Sequence, residues 1–350
     1  MKKRTLILLA LICLTALAYV SCSSEDTTKN DIHGSKISKN DTIMDDTPRV
    51  SPATIGTPVD VIQKELAFTE GPAVDKNGKV FFTDQPNDKI YTWDATTGAI
   101  TLFLHGTGRA NGMAFDKDGY LIACADMNGE LWRIAPDGTH EVLVDNYKGK
   151  RLNGPNDVWI NHATGGIYIT DPIFPREYWR ADDPRKQPWP PTHSEQDSTG
   201  KGGHVYYFAP GSHTLVRVTT QRAWDADSWP NGIAGTPDGK KLYISKWAAE
   251  GVGGTWVFDI NADGTLSNMT KFIAMGGDGM SLDEQGNIYI SNGLGVEVYD
   301  PQGNNILTIS TNGGATNNVF AGTDGKTLFI TKPADRITSV QMNVKGVEKF

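Results

Sequence analysis

Three cysteines in 350 residues leave almost no scope for disulfide chemistry. Cys13 lies inside an apolar run and Cys22 at its end, so only Cys124 remains for a folded region, and one thiol closes no intramolecular bridge. Within YLIACAD, Cys124 reads as a buried strand thiol. The seven histidines show no metal-ligand spacing. His204, before VYYF, is the one placed to reach a channel, although a satisfied strand histidine is the commoner case. Positive charge is also short: the net charge is −8, and no basic stripe with interleaved aromatics occurs, which argues against nucleic acid as a partner. There is no G-x-S-x-G elbow, no Walker loop, no dinucleotide glycine motif opening a helix and no H-E-x-x-H, so the common nucleophile, nucleotide and zinc-protease chemistries have no foothold. A continuous EF-hand loop is missing as well. Finally, helical periodicity is nearly absent after residue 57.

What is present begins with an address. Lys2, Lys3 and Arg4 precede an apolar run from Leu6 to Val20, the layout of a secretory signal over residues 1–21. Ser21-Cys22 at its end resembles a bacterial lipoprotein cleavage site, which predicts an acyl anchor on Cys22 and an exported, membrane-anchored protein in the periplasm or at the cell surface. Residues 22–57, rich in Ser, Thr, Asp, Asn and Lys, cannot bury enough apolar surface to fold and read as a tether.

From residue 58 to 350 short alternating strands dominate, punctuated by Gly, Asp and Asn turns, which predicts an all-β fold. Six segments share one layout: EGPAVDKNGKVFFTD, NGMAFDKDGYLIACAD, NDVWINHATGGIYITD, NGIAGTPDGKKLYISK, DGMSLDEQGNIYISN and NNVFAGTDGKTLFITK. Each opens on an acid or amide (Glu70, Asn111, Asn156, Asn231, Asp278, Asn317) and reaches a turn glycine eight residues later, nine in the third copy. A third strand follows most copies. About four short strands per repeat fit a propeller blade, and a lone blade leaves both faces of its sheet uncovered, so the repeats must stack. The expectation is a six-bladed β-propeller in which Pro58 to Leu66 supplies the outer strand of the last blade. The gap of 75 residues between the third and fourth openings holds an insert at about 174–203, rich in proline and aromatics, predicted to cap the channel mouth and to line the pocket with Tyr178 and Trp179.

In a propeller the innermost strands start around the central channel, so the six openings place two carboxylates and four carboxamides on one ring. Asn and Asp before a strand are also common turn formers, but Glu70 is not. Such oxygens suit a hard divalent cation. Without one, Glu70 and Asp278 would repel and one would shift toward its neutral form. Arg109, Arg151 and Arg222 precede openings, where each either meets a substrate or is solvated surface charge.

FTEGPAVDKNGKVFFTD, RLNGPNDVWI, WPNGIAGTPDGKKLYIS and GDGMSLDEQGNIYIS resemble the regucalcin/gluconolactonase family of six-bladed sugar lactonases, in the right order over about residues 58 to 345. The resemblance implies one divalent cation, Ca²⁺ first and Mg²⁺, Mn²⁺ or Zn²⁺ as alternatives, held by Glu70, Asn156, Asn231 and Asp278. Asp278 would be ligand and base. Asn156 would touch substrate or metal, while Asn111 and Arg151 are substrate candidates from their own places, at an opening and before one. The family's substrate arginine two residues before Asn156 is replaced by Gly154. The function expected is cation-dependent opening of a sugar lactone by a monomer that meets the membrane only through its anchor. Paraoxonase- or phosphotriesterase-like ester hydrolysis, or a non-catalytic propeller binding sugar or protein, are the rival readings.

Overall fold

The computed structural model describes residues 49–172, 174, 203–219, 229–247 and 253–347. Among these, strands form six four-stranded antiparallel sheets and one two-stranded ribbon, Asn146–Tyr147 with Lys150–Arg151. Five of the sheets are meanders running from the channel outward, and the sixth takes its outer strand from the N-terminal side. Their innermost strands are Thr69–Val74, Ala110–Phe115, Val158–Asn161, Trp229–Gly235, Met280–Leu282 and Asn318–Ala321. Each of these strands touches the next, and the last touches the first, so the ring closes and defines blades one to six.

Blade stacking explains the burial pattern. Every residue of Thr69–Val74 is buried, whereas the outermost strand of the same sheet, Ile100–His105, has no buried residue. Among the described residues the apolar core is divided into six clusters, each straddling one blade–blade seam. Val319, Phe329 and Ile337 of blade six meet Val74, Phe82 and Trp93 of blade one. Ile122, Cys124 and Leu131 of blade two meet Val158, Ile169 and Tyr206 of blade three. Cys124 is indeed buried, and burial pushes its thiol well up, away from a reactive thiolate.

The repeated turns have a common mechanism. Asp75 Oδ1 accepts from the backbone N–H groups of Asn77 at 2.8 Å and Lys79 at 2.9 Å, and Gly78 closes the loop at φ +80, where a side chain is strained. Asp116 and Asp283 build the same turn in blades two and five.

Closure comes from the N-terminal side, as expected, but four residues earlier: the outer strand of blade six is Thr54–Ile62, antiparallel to Arg336–Met342. Thr338 Oγ1 donates to Asp60 Oδ1 at 2.5 Å and fixes the register. Gly56 and Pro58 fall in a break of register between Ile55 and Val59, which an edge strand tolerates because Pro needs no ladder N–H there. The chain then turns, and Leu66 enters the seam of blades six and one instead of extending the strand.

Candidate active site

The six openings do converge, and small residues make it possible. Four of them are followed by glycine: Gly71, Gly112, Gly232 and Gly279. A β-carbon on Gly71 would lie 1.9 Å from the carbonyl oxygen of Asn111, and one on Gly232 would lie 2.0 Å from that of Asp278. The bare backbones instead make bonds across the seams: Gly112 N–H donates to Asn156 O at 2.6 Å, Gly232 N–H to Asp278 O at 3.0 Å, and Gly279 N–H to Thr316 O at 2.7 Å. Thr316 Oγ1 closes the circle by donating to Thr69 O at 2.7 Å.

A second layer of hydroxyls, at or near the ends of the second strands, holds the same backbones. Thr83 Oγ1 donates to Asn111 O at 3.1 Å, Ser245 Oγ to Asp278 O at 3.1 Å and Thr331 Oγ1 to Asn317 O at 3.1 Å. The aspartates that follow in blades one and three clamp the approach to the ring. Asp84 Oδ1 accepts from the N–H groups of Ala67 and Phe68, and Asp171 accepts from those of Asn153 and Gly154.

Within this frame Glu70, Asn111, Asn156 and Asn231 are buried and Asp278 is half-buried. The carboxyl of Glu70 is pushed well up, first by burial and then by Asp278, against a 2.9 Å hydrogen bond from Gly71 N–H; Asp157 pushes it further up and the Asn317 amide lowers it. Asp157 is a site residue that the repeat pattern did not single out. Its carboxyl is raised to about 7 by burial, against bonds from Val158 N–H, Ile233 N–H and the Asn317 side chain. The available signal was a broken pattern: where four openings are followed by glycine, the third is followed by an acid.

Buried carboxyls repel here, and among the described residues the groups that act most strongly on Glu70 and Asp157 include no cationic side chain. That is the situation a hard divalent cation relieves. Among the described residues no three His, Cys, Asp or Glu side chains converge as a ligand set, so the amide oxygens of Asn156 and Asn231 are needed beside Glu70 and Asp278. The donor set therefore fits a cation of calcium or magnesium type in its chemistry.

Other predicted residues have partners of their own. Arg151, exposed on the small ribbon, donates to Met127 O at 2.5 Å and Asn128 O at 2.8 Å, so blade two's turn carbonyls hold its guanidinium. Arg109 donates to Pro86 O and Gln85 O. His204 Nδ1 meets Thr219 Oγ1 at 3.2 Å. At Gly154, the position of the missing arginine, a β-carbon would lie 2.8 Å from Asp126 Oδ1, so an acid takes up that space. Tyr178, Trp179, Arg222, Cys22, the signal, the tether through residue 48 and nearly all of the insert lie outside the described residues.

A ring of channel oxygens in a closed six-bladed propeller defines a class of single-site propeller proteins. The chain belongs to the family described as SMP-30/Gluconolactonase/LRE-like region, which matches residues 68–333. It is 28% identical over 354 aligned positions to a gluconolactonase of Zymomonas mobilis, covering 93% of this chain and 92% of that protein. A solved gluconolactonase of Xanthomonas campestris shares 29% identity and a TM-score of 0.68, covering 83% of this chain and 91% of that one. A calcium-binding protein, regucalcin, of Agrobacterium tumefaciens has the same fold at 18% identity and a TM-score of 0.62, covering 85% of this chain and 98% of the other.

Proposed function

We propose that the chain is a cation-dependent lactonase acting on a sugar lactone of the gluconolactone type. The observation that carries this reading is the placement of the buried Glu70 carboxyl beside the half-buried Asp278, whose charge pushes it further up after burial has done so. Glu70, Asn156, Asn231 and Asp278 would hold the cation. When bound, it supplies Lewis-acid polarisation of the lactone carbonyl.

The chain's own residues do the rest. Asp278, half-buried, takes a proton from water as that water attacks the carbonyl carbon. The ring C–O bond breaks, and the proton returns from Asp278 to the leaving alkoxide, so hydroxy acid is released and the carboxylate is restored. Asn111 and Asn156 donate amide N–H groups to substrate oxygens, and their fixed backbones hold them in place. Family membership and the gluconolactonase relatives support the substrate class. The same reading keeps the signal over residues 1–21 and an acyl anchor at Cys22, so the enzyme works on the exported side of a membrane.

The test is hydrolysis of D-glucono-1,5-lactone after exhaustive chelation, with Ca²⁺, Mg²⁺, Mn²⁺ or Zn²⁺ returned singly. Restoration by at least one of them is expected. Full activity in the chelated protein would sink the cation-dependent reading.

A further inference from the structure

The residues that follow the openings are as regular as the openings themselves. Two positions on stand Pro72, Met113, Val158, Ile233, Met280 and Val319. Four positions on the residue is again apolar or glycine, as at Val74, Phe115, Ile160 and Leu282. The first set in all six blades, and the second in every blade but the sixth, line a cavity of about 500 Å³. Of the six openings only Asn317 borders it. The inner strands run from the openings toward the repeated turns, and the cavity follows them: Asp75 and Lys76 of blade one, Asp116 to Gly119 of blade two, and Thr236 and Pro237 of blade four are on its wall. It therefore reaches the end of the propeller opposite the polar ring, where Lys76, Asp118 and Pro237 are exposed. Under blades five and six the C-terminal segment crosses the turns. Glu284 N–H donates to Lys345 O at 2.9 Å, Gly346 N–H to Gly325 O at 3.0 Å and Val347 N–H to Leu282 O at 3.2 Å, and Val347 completes the wall.

The carboxyls on this wall are already engaged. Asp75 Oδ1 and Asp116 Oδ1 accept from the N–H groups of their own turns, and Asp116 Oδ2 accepts from Arg133 Nε at 2.9 Å. Asp118 pairs with Lys117 Nζ at 2.8 Å. Asp157 Oδ1 accepts from Val158 N–H at 2.9 Å and its Oδ2 from Ile233 N–H at 3.3 Å. Lys76 and His162 lie at the exposed rim. Aromatic rings make up part of the remaining wall. Phe81 stands edge-to-face with Phe103 and with Phe115, at 83° and 78°, with centroids 5.1 Å apart in both pairs. All three rings, and Trp159 of blade three, border the cavity.

We infer that this cavity is a second binding site, entered from the turn face, for an uncharged aromatic molecule of one or two rings. Its volume falls within the range of small-molecule sites, about 300–1,000 Å³. Walls of this composition give water few hydrogen-bond partners, so an apolar molecule displaces it favourably. An aromatic ring presents both an edge and a face, which is what Phe81, Phe103 and Phe115 already exchange among themselves. An ionic group would leave its hydration behind and find the carboxyls of the wall already engaged, which sets the charge of the ligand at zero. The site goes beyond the lactonase reading and does not rest on it.

The experiment titrates indole into the protein by calorimetry, in chelator and without lactone, so its outcome is separate from that of the cation test. Wild type, Phe115→Ala and Ala135→Trp are compared, and melting temperatures show which variants fold. Saturable binding to a single site is expected in wild type. Phe115→Ala removes a ring from the wall and should weaken binding about tenfold. Ala135→Trp sets a bulky ring at a half-buried position of the wall and should weaken it by more than about tenfold. Phe115→Ala carries the test if Ala135→Trp does not fold. Indole-3-carboxylate and tryptamine, which add a negative and a positive charge to the same rings, should each bind at least about tenfold more weakly than indole. No saturable binding of indole by wild type would overturn the inference, and so would affinity equal to wild type in the variants that fold. Binding of either charged analogue as tight as that of indole would overturn the ligand class assigned.

Discussion

Gly279 and Asn317 are packed against each other so closely that a β-carbon on Gly279 would fall 1.8 Å from Asn317 Cγ. Asn317 has nowhere to retreat, because its side-chain oxygen is bonded to Asn318 N–H and its backbone N–H to Thr331 Oγ1. Gly279→Ala should therefore displace the sixth opening from the fifth. Overpacking of this kind costs about 1–3 kcal/mol. The expected outcome is a melting temperature lower by about 2–6 °C, with lactone turnover down more than about tenfold, checked by calorimetry and an initial-rate assay. Unchanged values for both would show that the seam has slack.

The buried carboxyls give the cation-free protein an unusual pH dependence. Asp157 is raised from 3.8 to about 7, and Glu70 is raised in the same direction, so over this range the folded chain keeps protons that the unfolded chain has released. Stability is then fully present below about pH 4 and falls as pH rises toward 7. In chelator, wild type should lose more melting temperature between pH 5 and pH 8 than Asp157→Asn does. Saturating Ca²⁺ should shrink or reverse the trend, because the cation favours the ionised forms. A parallel pH course for both proteins in chelator would contradict this assignment.

Asp278→Asn keeps an oxygen donor and removes both a charge and a proton acceptor. Cation affinity should weaken, yet turnover at saturating cation should stay down by roughly 10²–10⁴, the share general-base catalysis contributes. Asn231→Asp adds charge without removing the base, and should bind cation at least as tightly while losing less rate. Near-wild-type turnover of Asp278→Asn once cation saturates would reduce Asp278 to a ligand.

At the closing strand, Asp60→Ala removes the acceptor of Thr338 Oγ1 and the 3.5 Å ion pair with Arg336 Nη1. The pair is partly solvated, so the loss should be modest, about 0.5–1.5 kcal/mol, read from urea unfolding. Activity of the folded protein should not change, because the site lies at the other end of the sheet.

Much of this was written in the repeats because local physics imposes them. A turn that needs positive φ requires Gly78 or its counterparts at one offset, and a blade that cannot cover its own faces requires the next. The convergence of Glu70, Asn231 and Asp278 followed from the same periodicity. Asp157 escaped because its partner across the blades, Ile233 N–H, lies 76 positions away, a separation that periodicity does not relate to it. Asn317 was visible as a polar opening, but its side-chain oxygen accepts from the neighbouring Asn318 N–H, a local bond that its place in the repeat does not reveal. The contacts of Arg151 with Met127 O and Asn128 O could not be read from the sequence, because sequence distance from Asn156 says nothing of the turn carbonyls of another blade. Pro58 suggested a strand start, whereas the register is set by Asp60 and Thr338 and runs back to Thr54.

The seam between Thr54–Ile62 and Arg336–Met342, with Asn343 N–H donating to Ala53 O at 3.0 Å, makes the folded chain almost circular. In such a chain the point where synthesis begins is nearly arbitrary. Joining residue 347 to residue 49 by a short linker and opening the backbone at another interblade loop would move the clasp to a different blade while preserving every seam. A permuted protein of this kind should retain its lactone chemistry, and its folding order alone would change.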